Sequence, residues 1–145
     1  MTGVREAVVA EARAWIGTPY RHQASLRGAG ADCLGLLRGV WRAVLGPEPE
    51  VPPPYTRDWA EASRVDAFAA AAARHLRPLE PAAAQPGDVL LFRWRDGLPA
   101  KHAGILTAPG RFVHAYEGSG VVESPLVPAW RRRLAGAYAF PGADD

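Results

Sequence analysis

The chain has 145 residues, 48% hydrophobic and 22% charged, with a net charge of +2, enough for one ordinary core and hence an expected single domain over residues 1–145. No apolar stretch has the length of a signal-peptide core or a membrane span, so synthesis in the cytoplasm without a signal peptide, and no membrane insertion, are expected. The only cysteine, Cys33, excludes an internal disulfide and a multi-cysteine metal site, and no zinc-finger, RNA-binding aromatic or Walker pattern points to a nucleic-acid partner.

Val4, Val8, Ala12, Trp15 and Ile16 fall on one helical stripe, and Gly17-Thr18-Pro19 stops it, predicting a first helix over 4–16. Residues 17–31, rich in Gly, Ser, Arg and His, read as a loop leading to the cysteine. Asp32 is a good N-cap, and Cys33, Leu36, Leu37, Val40, Trp41 and Val44 keep a helical rhythm until Gly46-Pro47. Cys33 therefore sits on the core-facing stripe at the positive end of a helix. Pro47 to Pro54 contains five prolines in eight residues and reads as an extended linker or loop. Asp58 to Leu76 reads as a third helix anchored by Val65, Phe68, Ala72 and Leu76, with His75 in a capping or surface role near its end.

After Pro78 the character changes. Residues 88–94, 102–107, 111–116, 120–123 and 134–140 are short, β-rich and separated by Gly or Pro turns. Helices followed by an antiparallel sheet give an α+β fold. Arginine supplies nearly all the basic charge, Lys101 being the only lysine. The run Arg131-Arg132-Arg133 reads either as a solvated loop or strand end, or as a surface for an anionic partner.

A cysteine reacts as its thiolate, and a helix N-terminus with a neighbouring imidazole is the usual way to favour that form. With Ala108-Pro109-Gly110 as a hairpin turn, Thr107 faces Arg111, Gly104 faces His114 and His102 faces Tyr116. His102 and His114 then share one sheet face as diagonal neighbours, roughly 7 to 8 Å apart at their backbones. A register shifted by one residue would put them on opposite faces. In the favourable register His102 takes a proton from Cys33 and His114 fixes the tautomer of His102, the logic of a cysteine-peptidase triad. Metal binding by Cys33, His102 and His114 is the other use of these atoms, but there is neither an HExxH helix nor a CxxC pair, and no metal or cofactor is expected.

Five ordered segments resemble the motifs of the NlpC-type cell-wall cysteine peptidases: Gly17-Thr18-Pro19-Tyr20, Asp32-Cys33-Leu34-Gly35-Leu36, Pro86-Gly87-Asp88-Val89-Leu90-Leu91-Phe92, His102-Ala103-Gly104-Ile105 and Phe112-Val113-His114-Ala115. Leu34 and Arg38-Gly39-Val40-Trp41 are most similar to the branch found in tailed phages and gene transfer agents. The resemblance implies a papain-like fold, N-terminal helices packed on a C-terminal antiparallel sheet. It implies hydrolysis of an amide in the peptidoglycan stem peptide, commonly between γ-D-glutamate and diaminopimelate. Matched by motif, Cys33 is the nucleophile, His102 the general base and His114 the orienter, with Tyr20 lining the oxyanion side and Asp32 contacting substrate or capping the helix.

The branch implies a phage-like particle acting at the cell wall, with tail or baseplate proteins as partners. Two departures bear on substrate choice: Leu34 stands where many members have serine, and His22, Gln23 and Arg27 interrupt a stretch that is usually glycine-rich. The alternatives are a catalytically silent tail or assembly module of the same fold, and an amidase or acyltransferase using the same Cys-His site.

Overall fold

In the computed structural model, which describes residues 3–50, 67–94 and 100–143, the first apolar stripe forms helix α1 (Val4–Ala14). Val8 and Ala12 are fully buried, and Trp15 closes the helix. The Trp15 ring lies against α2 (Cys33–Val44), where a Cβ on Gly39 would stand 2.0 Å from it, so only glycine lets the two helices approach this closely. Ile16 departs from expectation: it is 44% exposed, because the helix ends at Ala14 and the next residues no longer keep its period.

Asp32 caps α2 as its sequence position suggests, accepting a hydrogen bond from Gly35 N at 2.7 Å, and Leu36 and Val40 are fully buried. Arg38 and Arg42 both reach Glu48, at 2.6 and 3.0 Å, which ties the start of the proline-rich segment to α2. The rest of that segment, 51–54, and residues 58–66 of the expected third helix lie outside the described residues; the described part of that helix is α3 (Ala67–His75). The presumed loop 17–31 contains a two-rung antiparallel ladder of β1 (Ser25–Leu26) and β2 (Gly30–Ala31). Strands of two residues carry no readable period.

A six-stranded antiparallel sheet follows, in the order β3-β8-β4-β5-β6-β7. Its strands are β3 (Arg77–Leu79), β4 (Val89–Phe92), β5 (His102–Ala108), β6 (Arg111–Tyr116), β7 (Gly120–Pro125) and β8 (Leu134–Ala139). The architecture is α+β, as expected, but the sequence did not reveal β3, which carries Pro78 and lies at the edge where a missing N–H is tolerated. One turn of helix, α4 (Pro128–Arg131), was also not foreseen.

The sheet is covered on both faces. Val89, Leu91, Ala103, Ile105 and Val113 pack with Val8, Ala12, Leu36 and Val40 of the two helices. Leu90, Phe92, Leu106 and Phe112 form a second cluster with Leu126 and the half-buried Trp130. Arg5 Nε meets the fully buried Asp88 Oδ1 at 3.0 Å, pinning α1 to the start of β4. A Cβ on Gly87 would stand 2.6 Å from Arg5 Cα, and its φ of +99° suits glycine, so the Pro86-Gly87-Asp88 motif serves this junction.

The β5–β6 hairpin keeps the expected register in its body, with Ile105 opposite Val113 and Leu106 opposite Phe112. At the turn the expectation fails. Ala108, not Thr107, pairs with Arg111, because a bulge falls at Thr107, whose hydroxyl donates to Glu123 Oε2 on β7 at 2.5 Å.

Candidate active site

Cys33 is the first residue of α2 and packs partly buried against the helix-side core. Its Sγ donates to Lys101 O at 3.9 Å, and the Ala103 backbone amide also reaches it, so the thiol sits against β5 on the two residues flanking His102. Among the described residues no hydrogen bond joins Sγ to the His102 ring; the thiol is turned to the carbonyl instead.

Alternation along β5 and β6 puts His102 and His114 on the sheet face that carries Phe92 and Phe112. The two rings meet edge-on, with His102 Nε2 2.8 Å from His114 Nδ1, as the hairpin register requires. His114 Nε2 in turn lies 2.9 Å from Ser124 Oγ on β7. Ser124 pairs with Phe112 across β6 and β7, on the face that His114 shares. The expected strand stopped at residue 123, one short of this partner.

Electrostatics hold all three groups neutral. Burial, and then the neighbouring Asp32 carboxylate, push the Cys33 thiol up to about 12, outweighing the amides of Ala103, Leu34 and Cys33 that favour the thiolate. His102 is 5% exposed; burial and then His114 lower it to about 3. His114 is 1% exposed, and burial lowers it to about 4. The helix N-terminus alone therefore does not produce a resting thiolate.

Asp32 is buried and engaged at both oxygens, Oδ1 by Gly35 N and Oδ2 by Gln23 N, each at 2.7 Å. His22 Nδ1 lies 3.9 Å from the same Oδ2, so the residues that replace a glycine-rich stretch hold the capping carboxylate in place. Tyr20 forms a parallel backbone bridge with Ala31, two residues before the cysteine, and packs partly buried on the core. Leu34 packs against the core too, in place of a hydroxyl beside the thiol.

Sequence reasoning missed the wall around His102. Trp94 and Trp130 both stack on its ring, centroids 5.4 and 5.5 Å away at 20° and 28°, and Arg133 lies over both tryptophans. No periodicity announces a tryptophan in a one-turn helix. Among the described residues no group of three His, Cys, Asp or Glu is placed to hold a metal ion, and no helix is long and apolar enough to cross a membrane. A thiol lodged against the backbone on either side of His102, and an imidazole–imidazole–hydroxyl relay running from His102 through His114 to Ser124, form a set suited to nucleophilic attack on a carbonyl.

Residues 5–132 match the family described as a domain of unknown function (DUF6950). The chain is 31% identical over 134 residues to the gamma-DL-glutamyl hydrolase of Bacillus subtilis, covering 92% of this chain and 29% of that protein. It is 29% identical over 131 residues to the murein DD-endopeptidase MepS/murein LD-carboxypeptidase of Escherichia coli K12, covering 90% and 60%. The chain thus spans under two thirds of the length of each. The NlpC/p60 domain of the peptidoglycan hydrolase SagA superposes with a TM-score of 0.65 at 25% identity, covering 94% of this chain and 98% of that one. An NlpC/p60 family protein from Bacillus cereus shares the fold, with a TM-score of 0.70 at 19% identity over 97% of this chain and 41% of that one.

Proposed function

Because the chain belongs to the DUF6950 family and to the NlpC/p60 cell-wall peptidases, we propose that it is a cysteine peptidase that hydrolyses an amide of the peptidoglycan stem peptide through a thioester on Cys33. The observation that carries this reading is the thiol lodged against the residues flanking His102, whose Nε2 is held 2.8 Å from His114 Nδ1.

With His102 Nε2–H donating to His114 Nδ1, and His114 Nε2–H donating to Ser124 Oγ, His102 Nδ1 keeps its lone pair. Sγ leaves the Lys101 carbonyl, passes its proton to that nitrogen and attacks the amide carbon. The Cys33 backbone N–H, at the start of α2, faces the developing oxyanion, and Tyr20 lines that side. His102 then gives the proton to the leaving amine, and in the second half it takes a proton from the water that cleaves the thioester. Since thiol and imidazole rest neutral, the proton moves during attack. Asp32 acts by capping α2, both oxygens being spent on backbone amides.

For the bond, the γ-D-glutamyl-diaminopimelate amide fits best, supported by a relative named for γ-glutamyl hydrolysis and another named for murein cleavage. A phage-like particle acting at the cell wall, assembled from protein made in the cytoplasm, is the setting suggested by Leu34 and Arg38-Gly39-Val40-Trp41. Tail or baseplate proteins are its proposed partners, and detection of the chain in purified particles tests this. The activity is tested by incubating the protein with purified diaminopimelate-type peptidoglycan and reading the released fragments by mass. New diaminopimelate N-termini are expected; fragments cut only at other bonds would overturn the bond assignment.

A further inference from the structure

The guanidinium of Arg133 rests over Trp94 and Trp130, its Cζ 5.8 and 5.9 Å from the ring centroids, and these are the two rings stacked on His102. Arg133 is half-buried yet belongs to no ion pair among the described residues. Arg93 stands beside it, its backbone N donating to Arg133 O at 2.8 Å, and Arg93 Nε is buried with no hydrogen-bond partner among the described residues. The contrast within the molecule is clear: Arg5, Arg38 and Arg42, also partly buried, each have a carboxylate at 3.0 Å or less.

A guanidinium half removed from water gains most from a carboxylate that presents two oxygens to its fork, and the tryptophan rings hold Arg133 in place without accepting from its N–H groups as a carboxylate would. We infer that Arg133, with Arg93 beside it, forms a subsite for a carboxylate that the substrate carries close to its scissile amide. Resting on the peptidase reading above, that carboxylate is the α-carboxylate of a γ-linked glutamate. The γ-linkage consumes the side-chain carboxyl, so the α-carboxylate stays free, only a few bonds from the carbonyl that Cys33 attacks. Arg133 lies one ring away from His102, on the matching scale.

The test is binding of N-acetyl-γ-D-glutamyl-diaminopimelate, and of the same peptide with its glutamate α-carboxylate amidated, to the full chain carrying Cys33→Ala, read by calorimetry. The free carboxylate form is expected to bind roughly 10- to 100-fold more tightly, the worth of one charge-assisted pair. Adding Arg133→Gln is expected to bring that ratio close to one, and Arg133→Lys, which keeps the charge without the fork, to leave part of it. The exposed neighbour Arg132→Gln is expected to keep it in full. Equal binding of the two peptides, or a ratio that survives Arg133→Gln, overturns the subsite. Turnover by the unmodified chain is followed in parallel. Cleavage of both peptides with equal binding overturns the subsite and retains the peptidase. A preserved ratio with no cleavage overturns the peptidase and retains a carboxylate-binding site, and neither binding nor cleavage overturns both.

Discussion

Ser124 Oγ lies 2.9 Å from His114 Nε2, which carries the ring relay from His102 onto a third strand. When the hydroxyl accepts from His114 Nε2–H, His114 Nδ1 is free to accept from His102, which is the arrangement the proposed mechanism uses. Ser124→Ala removes that acceptor, and a fall in kcat/KM of roughly tenfold is expected, in line with one hydrogen bond. His114→Ala loses the orienter as well and is expected to cost roughly 100-fold or more. Steady-state kinetics on a stem peptide checks both, and an unchanged Ser124→Ala enzyme would contradict this relay.

The Cys33 thiol, pushed up to about 12 by burial and then by Asp32, is expected to resist alkylation at neutral pH. Its rate with iodoacetamide should rise about tenfold per pH unit from pH 7 to 10 with no plateau near neutrality, since only the thiolate reacts. Asp32→Asn keeps a capping oxygen and removes the charge, so faster alkylation at a given pH is expected with a stability loss of about 1–2 kcal/mol. A plateau below pH 7 would mean a preformed thiolate.

Burial keeps His102 at about 3 and His114 at about 4, both below the 6.5 of the free side chain. As pH falls below 6.5 the unfolded chain takes up protons that the folded chain refuses, so stability is full above that pH and drains away toward pH 4. Two such histidines give a slope of up to about 2.7 kcal/mol per pH unit. Urea unfolding at pH 7 and pH 5 measures it, and His114→Gln is expected to reduce the slope by about half. Equal stability at the two pH values would contradict neutral buried imidazoles.

Asp88 is fully buried and paired with Arg5, so Asp88→Ala leaves the guanidinium without its partner and unpins α1 from β4. A loss of about 3–5 kcal/mol is expected from the urea midpoint. A loss under about 1 kcal/mol would place the pair among those that contribute little.

The elements that carry chemistry were largely legible. The period of Leu36, Leu37, Val40 and Trp41, with Asp32 ahead of it, defines α2 and the place of Cys33. The hairpin about Pro109-Gly110 is legible, and the body register Ile105–Val113 and Leu106–Phe112 that brings His102 to His114 is the expected one, but it is kept only through the bulge at Thr107. What escaped was set by tertiary contact. Thr107 bulges because Glu123 on β7 offers its hydroxyl a partner, a strand pairing that local sequence does not encode. Ser124 and Trp130 join the histidines only through the order of strands, and β4 is apolar on both faces, so alternation could not tell which face would hold the site. The raised Cys33 thiol likewise depends on how deeply β5 covers it.

The most direct measurement of the central claim is fragment release from diaminopimelate-type peptidoglycan by the unmodified chain and by Cys33→Ala, with folding of both confirmed by circular dichroism. Release by the unmodified chain and none by the variant is the predicted result. Release that persists in Cys33→Ala, or its absence from a folded unmodified chain, would contradict the account.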